Sequence, residues 1–264
     1  MGKLKRKAVE SQEEVEAEGV LAPLEWQPPT LDQWLDSVDE SAPWLVEKFI
    51  PEDALAIVSG QQKRAFKTWW AFLVALVLAT GKKIGPLVAN RTGPVIIIEE
   101  EGTRPETKGR FLKLCKMMDI PKEDLTNIYF AHRQNIKLDN ESWRRKLVAL
   151  VRQVKPVLVI YDGLSQAHTG NENAHEDMSP IFDYLASIRN EGCSVLLLVH
   201  LNKEKGDNPK ADLDSQLRGS IVTANRYDAY IALRRYKESQ AHIDCYTRFR
   251  DHEWERYSVS WDVN

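Results

Sequence analysis

Short apolar runs recur along the chain after Pro51 and alternate with stretches of helical periodicity. The runs are Ala54 to Val58, Val95 to Ile98, Ile128 to Ala131, Val157 to Tyr161 and Val195 to Val199. Continuous apolar runs that are rich in β-branched residues are typical of strands buried on both faces. Strands and helices in alternation predict an α/β fold with a parallel sheet, helices on both faces and right-handed crossovers.

Helical stretches lie between these strands. They run from Thr68 to Thr80, roughly Pro105 to Met118, Ser142 to Val154 and Met178 to Asn190. After Arg226 the pattern changes to short β-rich pieces separated by polar turns: Ala229 to Arg234, His242 to Tyr246 and Tyr257 to Trp261. These pieces predict an antiparallel extension on one edge of the sheet.

The first part of the chain has a different composition. Residues 1–30 are charged and rich in Ala and Glu, which predicts a disordered arm. Leu31, Trp34 and Leu35 lie at helical spacing and predict a short helix within a linker of residues 31–50. We expect this helix to dock on the chain's own core or on a neighbouring subunit. The principal domain is predicted over residues 51–264.

Length and composition limit the classes of protein to which the chain can belong. A chain of 264 residues with 43% apolar residues can form one large domain with a buried core. The longest apolar run, Trp69 to Ala79, is too short to span a bilayer, and no apolar stretch follows the basic residues 3–7 as a signal peptide requires. The three cysteines lack the spacing of a disulfide framework or a zinc site. We therefore expect a soluble, cytoplasmic protein without membrane association.

Charge is unevenly distributed. The net charge is −3, yet residues 1–45 contain four Lys or Arg against ten Asp or Glu. The rest of the chain is therefore mildly basic. A balance of this kind does not by itself indicate nucleic-acid binding, which needs a local basic stripe.

Residues 58–69 combine a strand end, a polar loop and a helix start. In a P-loop, backbone N–H groups cradle phosphates, a lysine neutralises them and a hydroxyl binds Mg²⁺. Lys67 and Thr68 fit the last two roles, so the expected ligands are ATP and Mg²⁺. The expected nucleotide contacts are Gly60, Gln61, Gln62, Lys63, Arg64, Ala65, Phe66, Lys67, Thr68 and Trp69.

This P-loop departs from the usual pattern. Gly60 precedes Lys67 by seven positions where the standard spacing is six, and Phe66 stands where a second glycine is expected. The longer loop either compensates for the bulky Phe66 or impairs turnover, and both alternatives stay open. An ordinary helix start without a nucleotide is the other interpretation of this segment.

Two further strand ends favour the nucleotide interpretation. Asp162 follows the apolar run Val157 to Tyr161, at the position where a Walker-B aspartate holds Mg²⁺. His200 ends the next apolar run. Because ligands of open α/β sheets bind at the carboxyl ends of the strands, these residues and the P-loop are expected at one edge.

Several segments together resemble the RepA-like branch of RecA-fold P-loop ATPases, which is related to the hexameric replicative helicases. The resemblance spans about Trp44 to Asp262. It rests on Trp44-Leu45-Val46-Glu47 before Ile50-Pro51, Lys67-Thr68-Trp69, Glu99-Glu100-Glu101-Gly102, Asp162-Gly163-Leu164-Ser165, Asn171-Glu172-Asn173, Glu176-Asp177-Met178, Val199-His200 and Leu217-Arg218-Gly219-Ser220. It implies a RecA-like core whose mostly parallel, twisted sheet is flanked by helices.

The resemblance also implies roles for individual residues. Glu100 or Glu101 would act as the general base that polarises the attacking water, with Glu100 the first choice. His200 would sense the γ-phosphate, and Arg218 would lie close to the nucleotide. Arg248 and Arg250 would reach a neighbouring subunit's ATP as arginine fingers; a solvated strand face is the alternative for this pair.

The polar loop of residues 202–215 follows the strand of His200. In RecA-like rings this loop points into the central channel, so Lys203, Lys205 and Lys210 would track single-stranded DNA. Four acidic residues in the same loop offset these charges, so a merely solvated loop is the alternative.

The sequence thus predicts a Mg²⁺-dependent ATPase that acts as an oligomeric, helicase-like DNA replication protein of mobile-element or phage type. The expected assembly is a homo-oligomeric ring, a hexamer by resemblance. Two alternatives stay open: a nucleotide-switched loader or regulator with weak turnover, and a recombinase-like filament protein.

Overall fold

The computed structural model describes residues 28–37, 44–60, 66–171, 174–200, 226–237, 240–247 and 255–260. The chain divides into two compact units, Met1–Ser41 and Ala42–Asn264. In the first, helix α1 (Leu31–Ser37) occupies the segment where the sequence predicts a short helix. Its docking stays a prediction, and residues 1–27 of the predicted arm lie outside the described residues.

The second unit alternates strands and helices as the hydrophobic pattern predicts. Its helices are α2 (Lys67–Thr80), α3 (Arg104–Met117), α4 (Glu141–Val154) and α5 (His175–Arg189), with short 3₁₀ turns at Lys122–Asn127 and Leu164–Gln166. Its strands are β1 (Trp44–Val46), β2 (Ile50–Pro51), β3 (Leu55–Gly60), β4 (Val95–Glu99), β5 (Ile128–His132), β6 (Leu158–Asp162), β7 (Ser194–His200), β8 (Ala229–Lys237), β9 (Gln240–Thr247) and β10 (Glu255–Ser260).

Within the described residues, strands β3 to β10 form one sheet in the order β10-β9-β8-β3-β7-β6-β4-β5. The six strands from β8 to β5 pair in parallel. β9 and β10 continue the sheet antiparallel, and β1 and β2 form a small antiparallel pair of their own. The predicted C-terminal extension is therefore confirmed from β9 onward, whereas β8 joins β3 in parallel.

Local sequence explains where the helices begin and end. Thr103 and Glu106 form a reciprocal capping box at the start of α3, and Gly81 ends α2 in the left-handed conformation that glycine favours. α5 starts at His175, three residues before the predicted Met178, and its first turn contains the acidic residues Glu176 and Asp177, which the positive end of a helix favours. Pro180 consequently lies in the second turn.

Alternate side chains of the strands pack against two helical layers. One core contains Ile97, Ile160 and nearly all of α2, together with Leu114 of α3. The other contains Ile98, Tyr161 and the inward faces of α4 and α5. The sheet is thus buried on both faces, which leaves its carboxyl edge as the place where polar side chains converge. In the described part of the chain, no helix is both long and apolar enough to cross a membrane.

Candidate nucleotide-binding site

The last residues of the central strands lie side by side. Gly60 of β3 pairs in register with His200 of β7, Asp162 of β6 pairs with Glu99 of β4, and Glu99 pairs with His132 of β5. Parallel strands end at a common edge, so residues more than a hundred positions apart become neighbours there.

The turn into α2 has an unusual backbone at Phe66. This residue has φ 54° and ψ 22°, the left-handed region that glycine adopts most readily. The conformation explains why a glycine is usual at this position, and keeping a phenylalanine in it costs on the order of 1 kcal/mol. The five residues before it, Gln61, Gln62, Lys63, Arg64 and Ala65, lie outside the described residues, so their nucleotide contacts stay predictions.

Lys67 begins α2 and is nearly buried. Its Nζ donates hydrogen bonds to the Gly60 carbonyl and to His200 Nδ1, each with a donor–acceptor distance of 2.9 Å. Burial lowers the pKa of Lys67 to about 8, although the negative charges of Asp162 and Glu101 oppose the shift. An anion such as a phosphate would offset the unfavourable burial of this ammonium group.

Thr68 and Asp162 form a second contact at the same edge. Thr68 Oγ1 donates to Asp162 Oδ2 over 2.7 Å. Burial raises the pKa of Asp162 to about 6, and the neighbouring carboxylates of Glu101 and Glu99 add to the shift. A hydroxyl oxygen and a buried carboxylate are ligands that suit Mg²⁺, whose charge would offset the burial of Asp162. The residues present therefore fit a magnesium ion. Trp69, the next residue, packs against the core.

The three consecutive glutamates at the end of β4 point to three different places. Glu99 is fully buried and bonds with Gly102, Thr107 and His132. Glu100 accepts hydrogen bonds from the backbone N–H groups of Asn135 and Ile136, over 3.0 and 2.9 Å. Glu100 is thus occupied in holding the loop after β5.

Glu101 is the glutamate that contacts His200. Its carboxylate lies 3.0 Å from His200 Nε2 and 3.4 Å from Ser165 Oγ. The hydrogen bond from His200, together with the charge of Lys67, holds the pKa of Glu101 below its usual value against the effect of burial. Gly163 leaves room for this carboxylate, because a Cβ atom at position 163 would overlap Glu101 Oε1.

Comparison with known proteins agrees with this geometry. The model of a family described as an AAA domain matches residues 22–206, a range that contains Lys67, Glu101, Asp162 and His200. The chain belongs to this AAA domain family.

The solved structures add a likeness in fold. One is titled "The Structure Of A DnaB-Like Replicative Helicase And Its Interactions With Primase"; the likeness has a TM-score of 0.65 at 14% sequence identity and covers 88% of this chain. This AAA domain protein spans 64% of the length of that helicase chain. The search of curated proteins found no match to the present chain. The findings confirm the predicted RecA-like fold.

The site of this AAA domain protein depends partly on contacts that the sequence did not predict. The contact between Lys67 and His200 and the space left by Gly163 were not predicted; a glycine directly after the strand-terminal Asp162 is the only sequence signal for the latter. The predicted residues Arg218, Arg248, Arg250, Lys203, Lys205 and Lys210 lie outside the described residues, and their roles stay predictions.

Proposed function

We propose that the chain binds Mg²⁺ and ATP at the carboxyl edge of its sheet and hydrolyses ATP. The observation that carries this proposal is that Lys67, Thr68, Asp162, Glu101 and His200 lie together at one edge of the sheet. Lys67 and Thr68 begin the helix that follows the P-loop sequence. A buried lysine and a buried aspartate with pKa values shifted toward neutrality form a site prepared for ligands of opposite charge.

In this proposal Lys67 leaves the Gly60 carbonyl and His200 to bind phosphate oxygens, and Thr68 and Asp162 would hold the metal ion. Mg²⁺, when bound, would neutralise charge on the phosphate oxygens. Burial of Lys67 strengthens its attraction to a phosphate, because little water competes for the ammonium group.

Glu101 is proposed as the general base. It would accept a proton from the water that attacks the γ-phosphoryl group, while the bond to the ADP leaving group breaks. Its lowered pKa keeps the carboxylate ionised and able to accept that proton. His200 would hold the carboxylate through its Nε2–H. Of the two glutamates considered from sequence, Glu101 has the supporting contacts, whereas Glu100 is engaged with backbone N–H groups.

The deciding experiment compares ATP turnover of Glu101→Gln, Glu100→Gln and Lys67→Ala with that of the wild type, alongside nucleotide binding. We expect Glu101→Gln to retain binding and lose turnover by about a hundredfold or more, since general-base catalysis contributes that much. Glu100→Gln should change turnover by less than about tenfold, because its role is to hold a loop. Lys67→Ala should lose binding. Turnover that depends on Glu100 and not on Glu101 would contradict the assignment.

The wider proposal is a homo-oligomeric, helicase-like DNA replication protein of mobile-element or phage type. It is supported by the AAA domain match and by the fold likeness to a DnaB-like replicative helicase. Lys203, Lys205 and Lys210 are proposed to contact single-stranded DNA, Arg218 to lie near the nucleotide, and Arg248 and Arg250 to act across a subunit interface. Turnover that single-stranded DNA stimulates, and that Arg250→Ala abolishes, would support the proposal.

A nucleotide-switched loader is the second candidate, and the backbone of Phe66 favours it. A bulky residue in a left-handed turn next to Lys67 can narrow the space for phosphates and slow turnover. Tight ATP binding with no detectable hydrolysis, with or without DNA, would select the loader over the motor.

A further inference from the structure

A buried polar cluster lies directly beneath the turn that carries Glu101. At its centre is Glu99, which is fully buried at the end of β4. Its carboxylate accepts hydrogen bonds from the Gly102 backbone N–H and from Thr107 Oγ1, the latter over 3.2 Å, and lies 3.0 Å from His132 Nε2. The cluster therefore ties β4, α3 and β5 to one turn.

The direction of the hydrogen bonds shows that the cluster holds the backbone of Gly102. His132 Nε2 also lies 3.0 Å from the Gly102 carbonyl oxygen. A carbonyl oxygen can only accept, so His132 Nε2 carries a hydrogen and donates it toward both Gly102 and Glu99. Both backbone polar groups of Gly102 are thus engaged, the N–H by Glu99 and the C=O by His132.

The fit around Gly102 is tight. A Cβ atom at this position would lie 2.6 Å from Glu99 Oε1 and 2.8 Å from Thr107 Oγ1, closer than atoms approach without moving. On the other side of Glu101, the Glu100 N–H donates to the Asp162 carbonyl over 3.0 Å. Glu101 is therefore held between two anchored neighbours, and the orientation of its carboxylate depends on both anchors.

A buried carboxylate is costly unless donors surround it, and a well-packed apolar side chain would stabilise the fold at least as well. Glu99 bonds with Gly102, Thr107 and His132 rather than with the residues of the nucleotide site. Stability alone therefore gives little reason for a carboxyl group here, whereas fixing the position of Gly102 requires a hydrogen-bond acceptor such as Glu99 provides.

We propose that Glu99, Thr107 and His132 are positioning residues, which hold Gly102 and thereby aim the Glu101 carboxylate at the attacking water. This inference rests on the proposed function, in which Glu101 is the general base.

Thr107 offers the cleanest test because valine matches its shape and lacks the hydroxyl. Thr107→Val should lower kcat about tenfold, as expected for a small displacement of a catalytic group, and leave KM and the thermal midpoint close to wild type. Thr107→Ser keeps the hydroxyl and should restore kcat to within about twofold. A second pair of variants tests the contact that His132 of β5 makes with Gly102 and Glu99. His132→Gln keeps an N–H donor, and His132→Leu removes it.

Amide hydrogen exchange at Gly102 supplies a readout that does not depend on turnover. Exchange at this amide should be faster in Thr107→Val and His132→Leu than in the wild type, because the Glu99 acceptor is less firmly held. Thr107→Ser and His132→Gln should return it toward the wild-type rate.

The outcomes separate this inference from the function on which it rests. If Glu101→Gln retains turnover, the assignment of Glu101 as general base fails, and faster exchange at Gly102 still shows that the cluster positions the turn. If Glu101→Gln abolishes turnover while Thr107→Val and His132→Leu keep wild-type kcat, the positioning role is overturned. Parallel losses of kcat, nucleotide binding and thermal midpoint that serine does not restore would also overturn it, in favour of a purely structural role.

Discussion

Lys67 Nζ donates a hydrogen bond to His200 Nδ1 over 2.9 Å, although the two residues are 133 positions apart in the chain. An ammonium group can only donate, so Nδ1 accepts and Nε2 carries the ring hydrogen toward Glu101. A phosphate that draws Lys67 away would remove one of the two partners of the imidazole. His200 therefore couples phosphate binding by Lys67 to the Glu101 carboxylate, because its ring contacts both residues.

Removing His200 should change the pH dependence of turnover. The hydrogen bond from His200 is the largest cause of the lowered pKa of Glu101, so His200→Ala should raise that pKa toward its usual value. A base works only when deprotonated, and the acid limb of the kcat profile should consequently move to higher pH. Ser165→Ala is the matched control, because the hydrogen bond from Ser165 lowers the pKa of Glu101 less than that from His200 and its loss should give a smaller shift. An acid limb that stays in place in His200→Ala would contradict the role of Glu101.

Gly163→Ala should impair turnover and leave the fold intact. The added Cβ atom would overlap the end of the Glu101 side chain, which can swing away at little cost in stability. Gly163 has φ −148°, a conformation that alanine adopts readily, so backbone strain does not contribute. We expect kcat to fall by about tenfold to a hundredfold with an almost unchanged thermal midpoint.

The control for Gly163→Ala is Gly109→Ala. A Cβ atom at Gly109, in the middle of α3, meets open space, so this variant should keep its activity and gain up to about 1 kcal/mol of stability. If Gly163→Ala has wild-type kcat, the position of Glu101 does not limit the reaction.

Two substitutions at Phe66 separate backbone strain from side-chain contacts. Phe66→Gly and Phe66→Val both remove the aromatic ring, but only glycine adopts φ 54° freely. The free energy of unfolding of Phe66→Val should be lower than that of Phe66→Gly by about 1–2 kcal/mol. Chemical denaturation measures this difference. Equal stability of the two variants would mean that the turn relaxes when the ring is removed.

Asp162 should reduce the stability of the ligand-free protein at neutral pH. The pKa of Asp162 is raised from 3.8 to about 6 in the folded protein. Between these two pH values the folded state binds more protons than the unfolded state. The free energy of unfolding therefore falls as the pH rises from 3.8 to about 6. Asp162→Asn should remove this dependence and be more stable than wild type at pH 7 by up to about 3 kcal/mol. Denaturation at about pH 4 and pH 7 without Mg²⁺ or nucleotide tests the prediction. Asp124→Asn, at an exposed position, should show no such gain.

The order and type of the elements could be predicted because apolar runs report burial on both faces of a sheet. The apolar runs stop short of the strand ends, however. β4, β5, β6 and β7 each continue one residue beyond the apolar run, to Glu99, His132, Asp162 and His200. These polar residues interrupt the hydrophobic pattern, yet they belong to the strands. Asp162 and His200 contact Thr68 and Lys67 of the site, whereas Glu99 and His132 contact each other beneath it.

The choice between Glu100 and Glu101 could not be made from sequence. Three consecutive glutamates are equivalent in pattern, and their directions depend on the turn that Gly102 makes beneath them. The space for Glu101 depends in turn on the missing Cβ atom of Gly163, a residue more than sixty positions later in the chain. Packing of this kind is a property of the folded chain and leaves only a weak trace in local sequence.

The one-to-one register of the strand ends has a consequence for how such a chain can vary. The spacing between Asp162 and Glu99, and that between Gly60 and His200, follows from the distance between adjacent strands, about 4.8 Å, and not from the length of the connections. Segments such as α3 and α4 can therefore lengthen, shorten or be exchanged without moving these groups apart. A single-residue deletion inside β4 or β6 would instead turn the terminal carboxylate to the opposite face. Insertions and deletions in related chains should thus accumulate in the connections and be excluded from the strands.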